Sequence, residues 1–294
     1  MIELRHVDDA TLAIGFAGDT YNTAVYVART SVDIAVDLAV DYVSIVGDDR
    51  YSEQLLAVMR TEGIGTSRVA QIPGSLGLYL VRTDPDGERH FTYHRSQAPA
   101  RDLFADNEPD LTSYDMVYLS AITLQIMTAG ARTRLWAALD AVRARGGRVA
   151  FDTNYRATGW PDLATARGTI ESTLARTDIA LPTFSDEQVL YGDADVGACV
   201  ARLAAFGVAE IVVKDGAGGC VTWVEGNQQE VPARRVDAVH DTTAAGDSFN
   251  GAYLSARLTG ASPADAAQAG HALAALVITQ PGAILAPHLL PRRA

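Results

Sequence analysis

Short apolar runs alternate with segments of helical periodicity through the second half of the chain. Helical spacing fills residues 131–147 and 163–177. The strand-like runs lie at 115–120, 148–154, 178–182, 210–214 and 219–224. Strands that alternate with helices favour a parallel sheet with helices on both of its faces. The pattern therefore predicts an α/β fold of three layers around a mostly parallel sheet.

Residues 66–98 follow a different pattern. Two β-type stretches are joined by the turn signal "PDGE" at 85–88, with no helical segment between them. This predicts an antiparallel hairpin outside the parallel sheet. Because polar and aromatic residues alternate along it, one face suits a ligand, although an ordinary edge hairpin has the same pattern. We expect one domain over 1–294, with a small antiparallel β flap or lid formed by about 11–22 and 66–98.

Composition and charge narrow the class of protein. The chain has 294 residues, of which 48% are hydrophobic and 20% charged, as in globular proteins. The net charge of −12 argues against nucleic acid or an anionic membrane as partner. Because the overall charge repels anions, an anionic substrate would need arginines placed at its binding site. Cys199 and Cys220 match no metal-ligand spacing. Since "MIELRHVDDA" lacks the apolar segment of a signal peptide, we expect a cytoplasmic protein.

The stretch "DTTAAGDSFNGAY" at 241–253 carries the strongest chemical signal. Apolar residues recur with helical spacing after Asp247, so the small residues Ala244, Ala245 and Gly246 lie at a helix N-terminus. Unpaired backbone N–H groups there can bind a phosphate, and small side chains let it approach. A carboxylate beside that phosphate can accept the proton of an attacking hydroxyl. The stretch thus indicates phosphoryl transfer to an alcohol, while a plain helix cap is the alternative.

"DTTAAGDSF" resembles the C-terminal signature of the ribokinase-like (PfkB) carbohydrate kinases. The resemblance implies a ribokinase-like fold, ATP as phosphoryl donor, Asp247 as catalytic base and Ala244, Ala245 and Gly246 as an anion hole. Asp241 and Thr243 match positions that help to hold a monovalent cation such as K⁺ in some relatives. It also implies a homodimer formed through the flap.

"FAGDTYNTAVYVAR" at 16–29 resembles the N-terminal signature of the same family, with Ala17 in place of a first glycine. Gly18 permits close approach of a sugar, and Asp19 and Asn22 can hydrogen bond to its hydroxyls. A helix N-cap is the alternative reading. Within the family, "GDTYNTAVYVAR" is similar to the 2-keto-3-deoxygluconate kinases, whose substrate is a sugar acid.

A sugar acid requires cationic partners for its carboxylate, and the arginine fork suits that role. By resemblance, the substrate contacts are Arg95 in "FTYHRS", Arg156 in "FDTNYR", and the flap residues Tyr79 and Tyr93. A solvated surface charge is the alternative for either arginine.

The remaining family positions concern ATP and metal. Nucleotide contacts are implied for Asn154, Lys214, Gly216, Gly218, Gly219 and His271. An ordinary β-turn at 216–219 and a packing role for the histidine are the alternatives. "PTFSDE" at 182–187 replaces the family's Asn-x-x-Glu motif, so either Asp186 or Glu187 is the candidate for Mg²⁺, which we expect to be held largely through water and ATP phosphates.

One departure from the family concerns the N-terminus. Relatives begin with a strand before an apolar-acidic segment, and here "MIEL" is already that segment. We therefore expect either a late start or a sheet that lacks one strand. Three other functions remain open: a kinase of a neutral sugar, an inactive sugar sensor, and a dinucleotide-binding oxidoreductase suggested by "DGAGG". The oxidoreductase is disfavoured because the stretch does not open a helix.

Overall fold

A computed structural model describes residues 1–31, 38–83, 89–106 and 108–290. The chain forms two compact units. The first unit comprises Met1–Leu103, Val236–Ala261 and Ala272–Ala294, and the second unit comprises Phe104–Arg235 and Ser262–His271. The single domain expected over 1–294 stays a prediction.

Among the described residues, the first unit holds short strands and the α-helices α1 and α2 before its last segments. In chain order these are β1 (Ile2–His6), β2 (Leu12–Phe16), α1 (Asp19–Ser31), β3 (Val40–Asp41), β4 (Ser44–Val46), α2 (Arg50–Thr61), β5 (Ile64–Gly65), β6 (Val69–Gln71), β7 (Leu78–Thr83) and β8 (Arg89–His94). β3 pairs with β5 and β4 with β6, both in parallel. The predicted lid segment at 11–22 is thus divided between strand β2 and the first turn of α1.

A four-stranded sheet in the order β2-β1-β7-β8 includes the predicted flap. β7 and β8 pair antiparallel, as the pattern of 66–98 predicts, and the turn signal at 85–88 lies outside the described residues. The sheet also contains β1, which lies outside the predicted flap segments and pairs with β7 in parallel, so the complete sheet is mixed. The segment "MIEL" therefore contributes the start of β1 to this mixed sheet.

The two faces of the four-stranded sheet differ in character, since neighbouring residues of a strand point to opposite sides. One face, called here the aromatic face, carries Glu3 opposite Tyr79, and Tyr79 opposite Tyr93. The other face, called here the apolar row, carries Leu4 opposite both Ile14 and Leu80. Ile14 is 60% exposed, so the apolar row lies at the surface of the first unit as described.

The second unit is built on a six-stranded sheet in the order β14-β13-β12-β11-β10-β9. Its elements are β9 (Met116–Ser120), α3 (Ala121–Ile126), α4 (Ala129–Ala144), β10 (Arg148–Asp152), α5 (Leu163–Leu174), β11 (Ile179–Ala180), α6 (Phe184–Tyr191), α7 (Val196–Ala205), β12 (Glu210–Lys214), β13 (Cys220–Val224) and β14 (Asn227–Val231). β9 to β12 run parallel, as predicted, and β13 and β14 add an antiparallel edge. The α/β fold with a mostly parallel sheet is confirmed.

The α-helices α8 (Ala245–Leu258) and α9 (Pro263–Val277) follow β14 in the described chain. α8 packs directly on α1 within the first unit. A buried cluster in that unit joins Tyr26 of α1, Ala252 of α8 and Val277 of α9. Among the described residues, no helix combines the length and apolar character needed to cross a membrane.

Candidate active site

The N-terminus of α8 lies within the small-residue stretch at 241–253. Ala244 caps the helix in a left-handed conformation with φ 58° and ψ 18°, and the helix begins at Ala245. This conformation costs an L-residue roughly 1–2 kcal/mol, and strained backbone of this kind concentrates at functional sites. Asp247 lies in the first helical turn. Little side-chain bulk surrounds the N–H groups of that turn, because Ala244 and Ala245 carry only methyl groups and Gly246 has no side chain.

Asp247 is tied to α1 through its side chain and its backbone. The Nδ2 group of Asn22 donates to Oδ2 of Asp247 at 2.8 Å, and the hydroxyl of Thr23 donates to the Asp247 carbonyl at 3.3 Å. The Gly18 N–H in turn donates to Oδ1 of Asn22 at 3.2 Å. The structure thus brings Gly18, Asn22 and Asp247 together, although they come from opposite ends of the sequence.

Glycine at position 18 has no packing explanation in the described structure. A Cβ added there would meet no described atom within 4 Å. Asp19 begins α1, and its carbonyl lies 3.1 Å from the Thr23 hydroxyl, whose single proton is shared between this carbonyl and that of Asp247. The open space beside Gly18 suits close approach of a ligand to the backbone, which is the role that the sequence analysis assigns to it.

Aromatic side chains and one arginine form a continuous surface on the aromatic face of the sheet. The rings of Phe91 and Tyr93 stack at 6.0 Å with 11° between their planes. The Arg95 guanidinium lies 4.6 Å from the centroid of the Tyr93 ring, a distance suited to a cation–π contact. Tyr93 also contacts Tyr79 at 5.8 Å between centroids. Phe91 was not among the predicted site residues, although its period-2 spacing with Tyr93 and Arg95 signals it.

Tyr79 differs from Tyr93 in its exposure. Tyr79 is 5% exposed, and its hydroxyl donates to Oε2 of the buried Glu3. Burial, reinforced by the negative charge of Glu3, raises the pKa of the Tyr79 hydroxyl well above its ordinary value. Tyr93 is 48% exposed. Of the two predicted flap tyrosines, Tyr93 therefore has the larger surface to offer a ligand.

Asp241 and Thr243, the candidates for a monovalent cation, organise the loop before α8. Oδ1 of Asp241 accepts the Thr243 N–H at 2.8 Å and the Thr243 hydroxyl at 2.6 Å. Oδ2 of Asp241 accepts the Gly282 N–H at 2.8 Å. The carboxylate thus connects two loops of the first unit, and cation binding by Asp241 or Thr243 stays a prediction.

In the second unit, polar side chains gather where β10 and β12 end. Asp152 and Lys214 are both buried and form an ion pair of 3.1 Å. The Asn154 N–H donates to the other Asp152 oxygen at 3.0 Å, and Asn154 has a positive φ of 22°. The carboxyl ends of strands in open α/β sheets are where ligands bind. Lys214 was predicted to contact nucleotide, and the structure shows it as the ion-pair partner of Asp152. Asp152 was not among the predicted site residues.

Each candidate carboxylate for Mg²⁺ faces a cationic side chain of the protein. Asp186 pairs with Arg156 at 2.9 Å. Glu187 is fully buried, accepts the Thr153 hydroxyl, and pairs with Arg202 at 2.7 Å. Burial raises the pKa values of both carboxyls, although the arginines oppose that effect. This donor set does not fit a preformed carboxylate site for Mg²⁺.

A group of potential metal ligands also surrounds Glu187. A carboxylate oxygen of Glu187, one of Asp193 and the thiol of Cys199 all lie within 4.8 Å of one another, close enough to hold a metal ion. Arg202 occupies the same place, because its guanidinium pairs with Asp193 at 2.6 Å as well as with Glu187. A guanidinium between two carboxylates already supplies the positive charge that a metal ion would bring. Sequence reasoning missed Arg202 and Asp193, which no motif marks.

The glycine turn at 216–219 and His271 have structural explanations of their own. Gly216 and Gly219 have positive φ angles of 51° and 97°. A Cβ on Gly219 would lie 2.3 Å from the Val231 carbonyl oxygen, so packing against β14 requires this glycine. Gly218 lies in the short 3-10 turn between them. His271 is 8% exposed, and its burial lowers its pKa despite a hydrogen bond to the Val231 backbone. These contacts match the β-turn and packing alternatives, and nucleotide contact at these positions stays a prediction.

Comparison with known proteins identifies the family. The sequence pattern described as "pfkB family carbohydrate kinase" matches residues 4–289. The chain belongs to the pfkB family of carbohydrate kinases. The 2-dehydro-3-deoxygluconokinase of Dickeya dadantii (strain 3937) is 42% identical over 99% of this chain and 96% of its own. The enzyme of that name from Escherichia coli (strain K12) is 41% identical with the same coverage.

Solved structures agree on the fold of this pfkB family member. A PfkB protein from Polaromonas sp. JS666 superposes with a TM-score of 0.84 and 26% sequence identity, covering 95% of this chain and 93% of its own. Family membership makes the chain a phosphotransferase with an alcohol group as acceptor, as the stretch at 241–253 predicts. The role of each site residue stays a prediction.

Proposed function

We propose that the protein is an ATP-dependent kinase of 2-keto-3-deoxygluconate, which it converts to 2-keto-3-deoxy-6-phosphogluconate. The observation that carries the proposal is the carboxylate of Asp247 in the first turn of α8, within the signature of a family of carbohydrate kinases. The choice of sugar acid rests on the relatives named 2-dehydro-3-deoxygluconokinase, which are similar over nearly their whole length.

The reaction moves one proton and one phosphoryl group. Asp247 accepts the proton of the C6 hydroxyl as that oxygen attacks the γ-phosphorus of ATP. The new bond joins the C6 oxygen to phosphorus, the bond from phosphorus to the β–γ bridging oxygen breaks, and ADP leaves. Backbone N–H groups at Ala244, Ala245 and Gly246 stabilise negative charge on the transferred group, because the helix dipole adds to their own polarity.

The carboxylate of the sugar acid needs positive charge on a protein whose net charge is −12. Arg95 supplies it on the flap, where the Tyr93 ring beneath its guanidinium limits the orientations of the fork. We assign the same role to Arg156, whose contact with Asp186 steadies the side chain. The proposed sugar contacts are completed by Gly18, Asp19, Asn22, Tyr79 and Tyr93. A neutral sugar would need neither arginine.

ATP and Mg²⁺ enter the proposal with fewer protein contacts. Asn154, Lys214 and the turn of Gly216, Gly218 and Gly219 remain the proposed nucleotide contacts, together with His271. Since Asp186 and Glu187 each pair with an arginine, we propose that Mg²⁺ is held by ATP phosphates and water. Bound Mg²⁺ supplies charge neutralisation on the phosphates. We also propose K⁺ near Asp241 and Thr243, and a cytoplasmic location where ATP is available.

We further propose that the enzyme is a homodimer whose subunits meet through the four-stranded sheet. The support is the apolar row of Leu4, Ile14 and Leu80, which runs across three strands and leaves Ile14 60% exposed. A second copy would cover these side chains and remove their apolar surface from water.

A coupled ADP-release assay over a panel of acceptors tests the function. The proposal predicts that 2-keto-3-deoxygluconate gives the highest kcat/KM, well above ribose and fructose. The variant Arg95→Leu is expected to weaken use of the sugar acid much more than use of a neutral sugar. A preference for ribose or fructose would identify a neutral-sugar kinase instead. Absence of ADP release with every acceptor would identify an inactive sugar sensor.

A further inference from the structure

The loop after β10 carries Arg156 and is held by a buried side chain of another element. Gln125 lies in the last turn of α3, and only 8% of its surface is exposed. Its Nε2 group donates to the Arg156 carbonyl at 2.7 Å. We propose that Gln125 is a positioning residue, which fixes the backbone of Arg156 so that its guanidinium can bind the carboxylate of the substrate. This inference rests on the proposed role of Arg156 in binding that carboxylate.

The Arg156 carbonyl receives two donors, and together they fix its direction. A carbonyl oxygen can only accept, so the Gln125 atom at 2.7 Å must be the amide nitrogen. The same carbonyl accepts the Gly159 N–H at 3.2 Å, within the short 3-10 turn Ala157–Gly159. The two donors match the two lone pairs of the oxygen. The fixed peptide group also holds the ψ angle of Arg156 at 100°, and hence the direction in which its side chain leaves the backbone.

Gly159 leaves the space that the Gln125 amide fills. A Cβ on Gly159 would lie 2.0 Å from Cδ of Gln125, 2.1 Å from its Oε1 and 2.2 Å from its Nε2. A larger residue at position 159 would therefore push the amide away from the Arg156 carbonyl. Glycine here permits close approach of the amide to the backbone of the turn.

A second contact fixes the end of α3 relative to the same loop. Arg132 of α4 donates through Nε to the carbonyl of Leu124, the residue before Gln125, at 2.7 Å. Its guanidinium also lies 5.2 Å from the ring centroid of the buried Trp160, the residue after Gly159. Arg132 thus connects the backbone that carries Gln125 to the residue that follows the turn, and the donor and its acceptor keep their distance.

The side chain of Arg156 depends on this backbone support, because 51% of it is exposed. Its Nη1 group donates to the Tyr155 carbonyl at 2.7 Å and to Asp186 at 2.9 Å. Without the Gln125 amide, the loop would hold the binding-competent conformation for only part of the time, and the apparent affinity for the sugar acid would fall by that fraction. Loss of one hydrogen bond corresponds to a change of about 3- to 10-fold.

A double-variant cycle between Gln125 and Arg156 tests the inference. Gln125→Met keeps most of the side-chain volume and removes the donor. KM and kcat for the sugar acid are measured for the wild type, Gln125→Met, Arg156→Leu and the double variant. We expect Gln125→Met to raise KM about 3- to 10-fold while kcat stays within about twofold, since binding is lost without a change at the reacting atoms.

The double variant separates positioning of Arg156 from a general structural role. Arg156→Leu should raise KM at least about tenfold, the scale of a hydrogen bond to a charged group. Adding Gln125→Met to it should change KM by less than about twofold, because the arginine through which Gln125 acts is gone. Gln54→Met, the same change at an exposed position of α2, is the matched control with wild-type kinetics.

Two results would overturn the inference. One is a wild-type KM in Gln125→Met, and the other is a double variant in which the two KM effects multiply, as independent sites do. If Gln125→Met gives no folded protein, Gly159→Ala replaces it under the same criteria, because its Cβ would displace the amide from the Arg156 carbonyl.

The outcome is separable from that of the proposed function. A wild type that prefers a neutral sugar in the ADP-release assay refutes the sugar-acid assignment, and the inference fails with it. A wild-type KM in Arg156→Leu refutes the role of Arg156 and again the inference. If Arg156→Leu raises KM while Gln125→Met does not, the positioning role alone fails and the substrate assignment stands.

Discussion

Gly251 determines how closely α8 approaches α1, and replacing it tests whether that approach matters. A Cβ at this position would lie 2.6 Å from Cβ of Tyr26, 3.0 Å from the Thr23 carbonyl oxygen and 3.2 Å from the Val27 nitrogen. None of these atoms can move by a change of rotamer, because each belongs to the backbone of α1 or is attached directly to it. In Gly251→Ala, α1 must therefore move away from α8 as a whole.

The size of the effect follows from these distances. Carbon atoms rest about 3.5–4.0 Å apart, so the two helices must separate by about 1 Å. Overpacking of this kind costs about 1–3 kcal/mol, and the better helix propensity of alanine offsets about 1 kcal/mol of it. Gly168→Ala in α5 is the matched control, since Gly168 is exposed and an added Cβ would meet no described atom within 4 Å. That variant gains the propensity without the clash.

Urea unfolding and steady-state kinetics together check this prediction. Because the helix-propensity gain cancels between the variants, the free energy of unfolding of Gly251→Ala should lie about 1–3 kcal/mol below that of Gly168→Ala. We expect Gly251→Ala also to lower kcat, since displacing α1 carries Asn22 away from Asp247. If Gly251→Ala were as stable as Gly168→Ala and had wild-type kcat, the close helix approach would have no part in stability or catalysis.

Three further predictions concern the ion pair, the sheet surface and a buried thiol. Lys214→Met should lower the free energy of unfolding by about 3 kcal/mol because it leaves Asp152 buried without its cation, and Asp152→Asn in the same chain should restore part of that loss in urea unfolding. Ile14→Lys should shift the protein from dimer to monomer in sedimentation velocity, and an unchanged dimer would rule out the apolar row as interface. Burial raises the pKa of the Cys220 thiol from 9.0 to about 12, so its contribution to stability is complete below pH 9 and is lost as pH rises toward 12. In urea unfolding, the free-energy difference between wild type and Cys220→Ala should stay constant below pH 9. Above pH 9 the wild type should lose stability relative to the variant by up to about 1.4 kcal/mol per pH unit, and a difference that stays constant there would contradict this.

The elements of the second unit could be predicted from sequence because their signals are local. The run "EIVVK" is a strand from Glu210 to Lys214, as predicted, since five successive residues are buried inside a mostly parallel sheet. The stretch after Asp247 forms α8 as its periodicity indicates. Helical and strand periodicity depend only on which residues face the core, and this information is contained within each segment.

The partners of charged side chains could not be predicted, because they depend on which distant segments meet. Asn22 and Asp247 are 225 residues apart in the sequence, and Asp152 and Lys214 are 62 apart. Family resemblance assigned Asn22 to the sugar site and Lys214 to the nucleotide site. It did not reveal that Asn22 hydrogen bonds to Asp247 or that Lys214 pairs with Asp152. The parallel pairing of β1 with β7, which brings Glu3 to Tyr79, is likewise decided by the tertiary fold rather than by either strand.

The most direct test of the central claim is the turnover of Asp247→Asn with 2-keto-3-deoxygluconate and ATP. The substitution keeps the shape of the side chain and removes its capacity to accept the hydroxyl proton. We predict that calorimetry finds both substrates bound with affinities close to those of the wild type, while kcat falls about 10²- to 10⁴-fold, the usual contribution of a general base. A kcat within about threefold of the wild type would show that Asp247 is not the base.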